Sequence, residues 1–332
     1  MMLRAASIGL GWWSDELAGA VQGKSDRIRI VSCFSRSAGK RDAFAEKFST
    51  GQHDSYEAVL SDPEIDAVIL TTPHSLHAQH VIEAAEAGKH VFVEKPFTLT
   101  PQSAQQAVDA CRHARVTLAV GQNRRFSAAA QRLKEMLWNG DLGTLLHIET
   151  NFSAPSATNW TADHWRASRD ESPAGGLAGL GIHMIDLLTW LGGPATRVTA
   201  LATRRVLEVD VDDTTSALFE LSSGATAYLG TFAAAPYVSF CNIYGTKANA
   251  FAAIDANELH VQAVGQQKEP VALTPVDTLK AELEEFSDAC AGTASFRVEP
   301  DEAVHTVAVM EAIASSAARG GEPVTLGQKG DA

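Results

Sequence analysis

The sequence predicts an α/β protein in two parts: a parallel sheet wound with helices, then an α+β part built on a large, mostly antiparallel sheet. Three observations predict it. Short, almost wholly apolar runs alternate with helical stretches as far as residue 121, as strands buried on both faces do. Gly9-Leu10-Gly11 follows the first of those runs directly. From Val198 onward, runs of period two alternate with glycine turn signals, the pattern of antiparallel strands.

Ala5–Gly9 is the first strand, and a helix follows to about Gln22. Strand, Gly-x-Gly, helix is the phosphate-binding turn of a dinucleotide fold. Gly9 permits the tight turn, Gly11 lets backbone approach a pyrophosphate, and the helix N-terminus offers amides and a positive dipole end. Ser14 stands where a third glycine is usual and is small enough to pack closely or to cap the helix. Trp12 and Trp13 would wall the pyrophosphate and nicotinamide. Ile28–Phe34 is the second strand and ends in Ser35-Arg36-Ser37, with Lys40 and Arg41 beyond. An acid at this strand end usually holds the ribose 2′-hydroxyl. Here a serine and a guanidinium stand instead, suited to a 2′-phosphate. NADP(H) is therefore favoured, with NAD(H) as the alternative.

Ala38–Phe48 is helical, and Ala67–Thr71 is the third strand, ending in Thr72-Pro73-His74. Thr72, Pro73 and His74 would present this loop to the nicotinamide, with His77 facing the ribose or Lys95. His74, His77 and His80 lack the carboxylates or cysteines of a metal site, so no metal is expected. The fourth strand, within His90–Pro96, ends in Glu94-Lys95-Pro96. An acid and an amine thus leave the sheet at the edge where ligands bind in open α/β sheets. Thr100–Ala114 is helical, and the strand Thr117–Val120 leads into Gly121-Gln122-Asn123-Arg124-Arg125-Phe126. We place the domain boundary there, giving residues 1–122 and 123–332.

The second part opens with Leu145–Phe152. Ser153–Ala178 is long and irregular, as functional loops often are. Trp160 and Trp165 predict an ordered flap, and Trp165-Arg166 could bring a cation to cofactor or substrate. The glycine-rich run 175–181 enters a helix, Ile182–Leu191, on which His183 and Asp186 share one side. A histidine in a first turn should have its proton affinity lowered, which suits a general base. A core histidine bonded to Asp186 is the alternative.

At 332 residues the chain is long enough for two domains. Its net charge of −13 argues against nucleic acid and anionic membranes as partners. Four scattered cysteines without a CxxC pair fit reduced thiols in the cytoplasm. No apolar run reaches the length of a membrane span, and the N-terminus has no signal-peptide pattern.

Taken together, these residues resemble the GFO/IDH/MocA family, the glucose–fructose oxidoreductase and inositol dehydrogenase group. The resemblance covers essentially the whole chain. It rests on Gly9-Leu10-Gly11, Thr72-Pro73 with His77, Glu94-Lys95-Pro96, Arg124-Arg125-Phe126, Trp165-Arg166 and Gly181-Ile182-His183-Met184-Ile185-Asp186. It implies a Rossmann domain, an α+β domain with a mostly antiparallel open sheet, and a nicotinamide cofactor. The implied substrate is a sugar, sugar acid or cyclic polyol, with hydride passing between nicotinamide and a carbinol carbon. By the same resemblance Glu94 would bond the nicotinamide ribose, Lys95 would meet the reacting oxygen, and His183 would give or take its proton. Gln122, Trp165 and Arg166 would join the cofactor site, and Asn123 and Arg124 would touch substrate. Many members carry an aspartate four residues before the histidine, where this chain has Gly179. Either Asp163 or Asp170 of the flap replaces it, or Lys95 and His183 act without it, or catalysis is lost. A dihydrodiol or imine-type reductase and a silent cofactor-binding regulator are the alternative functions. A homodimer or homotetramer is expected.

Overall fold

A computed structural model of the chain describes residues 2–327. The chain divides into two compact units, Met1–Asn123 with Asp277–Val304, and Arg124–Val276 with His305–Ala332. A single cut at 122/123 does not provide for the return of residues 277–304 to the first unit.

The first unit holds β1 (Leu3–Ile8), α1 (Trp12–Val21), β2 (Ile28–Phe34), α2 (Ala38–Phe48), α3 (Tyr56–Ser61), β3 (Ala67–Leu70), α4 (His77–Glu86), β4 (His90–Glu94), α5 (Pro101–Ala114) and β5 (Leu118–Gly121). The strands form one parallel sheet in the order β2-β1-β3-β4-β5. Every residue of β3 and β5 is buried, which is why these segments read as unbroken apolar runs. All five strands therefore end at one edge, so the polar residues after each collect there. Helix capping follows the sequence: Ser37, Ser55 and Thr100 each accept a backbone N–H from three residues on.

The second unit holds α6 (Ala128–Trp138), β6 (Leu145–Ser153), α7 (Ile182–Gly192), β7 (Ala195–Thr203), β8 (Thr214–Leu221), β9 (Thr226–Phe232), β10 (Val238–Gly245), β11 (Ala248–Ala253), β12 (Glu258–Ala263) and β13 (Glu269–Pro270). Then α8 (Thr278–Cys290) belongs to the first unit, the boundary at 304/305 falls inside α9 (Pro300–Ala318), and β14 (Val324–Thr325) closes the sheet. Nine strands run in the order β13-β12-β11-β10-β6-β9-β8-β7-β14, antiparallel except for β6 with β9. Helix α7 covers one face of β6 and β9. On β8 the side chains of Thr215, Ala217, Phe219 and Leu221 are buried, while Leu218 and Glu220 face outward. Period two in the sequence is thus a sheet with one covered face. No helix among the described residues is long and apolar enough to cross a membrane.

Candidate active site

In the first unit the turn after β1 is built around Gly9. Its φ of +88° is left-handed, and a Cβ there would lie 2.8 Å from the Thr72 nitrogen and Cγ2. Its own N–H donates to Phe34 O at 3.0 Å, and the Thr71 N–H donates to Ile8 O at 2.8 Å. The loops after β1, β2 and β3 are thereby tied together. Ser14, 1% exposed, explains the missing third glycine: the Gly11 N–H donates to Ser14 Oγ at 2.9 Å, and that hydroxyl donates to Gly11 O at 2.7 Å. A side chain at Gly11 would meet nothing within 4 Å. The first-turn amides of α1 have no intrahelical acceptor. Trp12 is exposed and packs edge-on to Trp13 with ring centroids 4.9 Å apart. The buried Trp13 Nε1–H has no acceptor among the described residues. Open space, unpartnered amides and a buried orphan donor fit a pyrophosphate.

At the end of β2, Arg41 donates to Ser35 O and to Asp54, both at 2.9 Å, so it holds the loop. Arg36 is exposed and makes no hydrogen bond or ion pair among the described residues. Thr72 and Pro73 are half-buried and His74 is buried. His77 faces no open edge. It is 1% exposed, with Nδ1 2.9 Å from Pro96 O and Nε2 2.9 Å from Thr72 O. Burial pushes its pKa down to about 4, against the pull of both carbonyls, and a neutral ring, with one N–H, can donate to only one of them. His80 Nδ1 lies 3.2 Å from Thr72 Oγ1. Among the described residues no group of three or more His, Cys, Asp or Glu could hold a metal ion.

Glu94 and Lys95 leave β4 opposite Gly121 of β5. Glu94 is 6% exposed, and a Cβ at Gly121 would lie 2.8 Å from its Oε1, so this glycine makes room for the carboxylate. The Lys95 N–H donates to Glu94 Oε2 at 3.3 Å. Gln122 is buried, and Asn123 Nδ2 lies 3.4 Å from Thr278 Oγ1 on α8.

The second unit gathers a different set. Arg124 donates to Asp255 at 2.9 Å and lies over the Phe152 ring at 4.1 Å. Phe152 also neighbours His183 at 6.0 Å and Tyr237 at 6.1 Å between centroids. The Tyr237 hydroxyl donates to Asp255. Burial, then the Asp255 charge and hydrogen bond, push Tyr237 up to about 12. Burial alone would raise Asp255, but the Arg124 charge and the hydrogen bonds from Arg124, Tyr237 and Ser239 together hold that carboxyl below its usual range. Arg124 and His183 thus flank one aromatic ring. Phe152, Tyr237 and Asp255 were not singled out from the sequence. Phe152 reads as one more apolar strand residue, and the other two lie in turns far along the chain.

His183 is 5% exposed. It is not in a first helical turn. A π-helical turn, Leu177–Gly181, runs straight into α7, and the Ile182 N–H donates to Leu177 O. The glycine-rich run continues the helix instead of preceding it, so no free positive dipole end lies beside the imidazole. Asp186 serves Arg125, whose Nε and NH2 both donate to it at 2.8 Å. A Cβ at Gly179 would meet nothing within 4 Å. Asp163 and Asp170 are exposed on the flap, and Asp163 accepts from Thr161 Oγ1. The flap is ordered by stacking: His164 lies between Trp160 (5.1 Å) and Trp165 (6.3 Å), and Arg166 sits over Trp165 at 4.4 Å.

The first unit's parallel sheet, with its glycine turn and clustered strand ends, defines a dinucleotide-binding domain. Residues 3–122 match the model of an oxidoreductase family with an NAD-binding Rossmann fold, GFO/IDH/MocA, and residues 130–251 match the GFO/IDH/MocA C-terminal domain. The chain belongs to the GFO/IDH/MocA family. It is 29% identical over 309 residues to D-xylose 1-dehydrogenase (NADP(+)) 2 of Haloferax volcanii, covering 91% of this chain and 93% of that protein. It is 32% identical over 203 residues to an uncharacterized oxidoreductase of Streptococcus pneumoniae, covering 60% of this chain and 53% of that protein, so here it spans about half of its relative. A solved oxidoreductase structure from Desulfitobacterium hafniense superposes with a TM-score of 0.92 at 30% identity, covering 98% of each chain.

Proposed function

We propose that this protein is an NAD(P)-dependent oxidoreductase acting on a CH–OH group of a sugar, sugar acid or cyclic polyol, with NADP(H) preferred. The observation that carries the reading is the pair Glu94 and Lys95, set at the carboxyl end of β4 in the same unit as the Gly9 turn. The nicotinamide, when bound, supplies the hydride acceptor or donor. In this reading Glu94 accepts from the ribose hydroxyls, and Lys95 holds the reacting oxygen and shares in moving its proton. His183 gives or takes the hydroxyl proton as a buried imidazole without help from a helix end. Thr72, Pro73, His74, Gln122, Trp165 and Arg166 complete the cofactor site, and Asn123 and Arg124 orient substrate. The reading includes a cytoplasmic homodimer or homotetramer. Its test is purified protein with NADP(H) or NAD(H) and a panel of sugars, sugar acids and polyols, followed at the nicotinamide absorbance. Turnover on at least one is expected. Tight cofactor binding without any turnover would favour the regulatory reading, which the open space at Gly179 supports.

Arg36 supports the cofactor preference, since it is exposed and unengaged at a strand end without an acid. Arg36→Ala should weaken NADP(H) binding roughly tenfold, the loss of one charge-assisted hydrogen bond, and leave NAD(H) nearly unchanged. Equal effects on both cofactors, read by fluorescence titration, would remove Arg36 from the preference.

A further inference from the structure

Glu282, on α8, is wholly buried. Neither of its carboxylate oxygens meets a donor group among the described residues. An ionised carboxylate left so is strongly disfavoured, which neutralisation avoids. The residue's place in the fold is fixed from both sides. One turn earlier, Thr278 meets Asn123, just beyond β5, at 3.4 Å. One turn later, Phe286 packs on Phe92 of β4 with centroids 5.7 Å apart. Residues 278, 282 and 286 share a helix face. Between those two contacts lie the strand ends where Glu94 pairs with Gly121. Glu282 is therefore directed at the buried end of β4.

We propose that Glu282 is a positioning residue for Glu94: as a neutral acid it donates its hydroxyl hydrogen to the Glu94 carboxylate and fixes the orientation in which that group meets the cofactor ribose. Two neighbouring carboxyls in an apolar setting cannot both ionise, so the pair shares one proton. The charged groups facing Glu282 are Glu94 on β4 and Glu285 on its own helix, the latter paired with Arg297 at 2.9 Å. Burial first, then both of these negative charges, raise the proton affinity of Glu282 well above the usual glutamate range. The sign of the pH effect follows. The donor is present at neutral pH and is lost only as pH rises through that raised value, so cofactor binding should weaken on the alkaline side.

This inference rests on the cofactor role proposed for Glu94, and the experiment separates the two. NADPH affinity is measured by fluorescence titration across pH for the wild type, Glu94→Gln, Glu282→Gln and Glu282→Leu. Glu94→Gln should weaken binding, and if it does not, the reading of Glu94 itself fails. Glu282→Gln keeps a donor that cannot ionise, so it should bind as the wild type does at neutral pH and resist the alkaline weakening. Glu282→Leu keeps the apolar packing but has no donor, so binding should fall roughly tenfold at neutral pH and show no further weakening on the alkaline side. A merely structural acid would let leucine bind normally. Glu282→Leu equal to wild type, or Glu282→Gln tracking its alkaline loss, overturns the proposal. Infrared spectra of the proteins at neutral pH give a measurement that does not depend on binding. The carbonyl band of a neutral carboxylic acid should be present in wild type and absent in Glu282→Gln, and its absence from wild type also overturns it.

Discussion

Lys95→Ala should lower kcat at least ~100-fold, the lower end of what a positioned acid–base group contributes. The contact with Glu94 Oε2 at 3.3 Å comes from the Lys95 backbone N–H. Alanine keeps that N–H and the turn into Pro96. Cofactor affinity should therefore change little while turnover collapses, so that kcat and kcat/KM fall together, the signature of an interaction made only in the transition state. Arginine would hold a positive charge in place but could not give up a proton, so Lys95→Arg should be nearly as slow. Turnover of Lys95→Ala equal to wild type would remove the amine from the mechanism. A loss of NADPH binding equal to the loss of rate would make it a cofactor ligand instead.

Much of the site's first half was legible because it depends on neighbours in sequence. The Gly9 turn, the apolar strands and the abrupt Glu94-Lys95-Pro96 ending are local patterns, and a parallel sheet brings all of its strand ends to one edge whatever the side chains are. Ser14 in place of a third glycine was legible too, because a capping serine needs only the residues of its own turn. What was not legible depends on partners distant in sequence. Helix α8 buries Leu283 and Phe286, but nothing local says that Phe286 belongs on Phe92. A single domain cut follows from that gap, as does the silence over Glu282. The start of α7 was misplaced for a different reason. Glycines signal a break, yet here a π-helical turn carries the chain through them, and the dipole argument for His183 goes with that break. His77 shows a third limit. Its position beside a functional loop was clear, but whether the ring faces a ligand or two backbone carbonyls depends on the Pro96 turn, nineteen positions away.

Arg125→Met should destabilise the second unit by ~3–5 kcal/mol, the usual result of removing one partner from a buried ion pair. Arg125 and Asp186 are each 1% exposed in their side chains, and the guanidinium meets the carboxylate through two donors at 2.8 Å. The pair links the segment that opens the unit to α7, the helix that carries His183. The Arg125 guanidinium also lies 5.3 Å from the Trp190 ring centroid, so methionine retains part of the packing while losing the charge. The cost then falls mainly on Asp186, which stays buried and loses both donors of that guanidinium. Thermal unfolding should move down by roughly 10 °C for a unit of this size. The double replacement Arg125→Met with Asp186→Leu removes the buried carboxylate along with the guanidinium and should recover most of that loss, which separates the cost of breaking the pair from the worth of the pair. If Arg125→Met alone unfolds no earlier than wild type, the pair does not hold α7 in place. If the double variant is no better than the single one, the loss lies in packing around Trp190. Stability recovered in the double variant with turnover still impaired would show that this linkage sets the His183 ring as well as the fold around it.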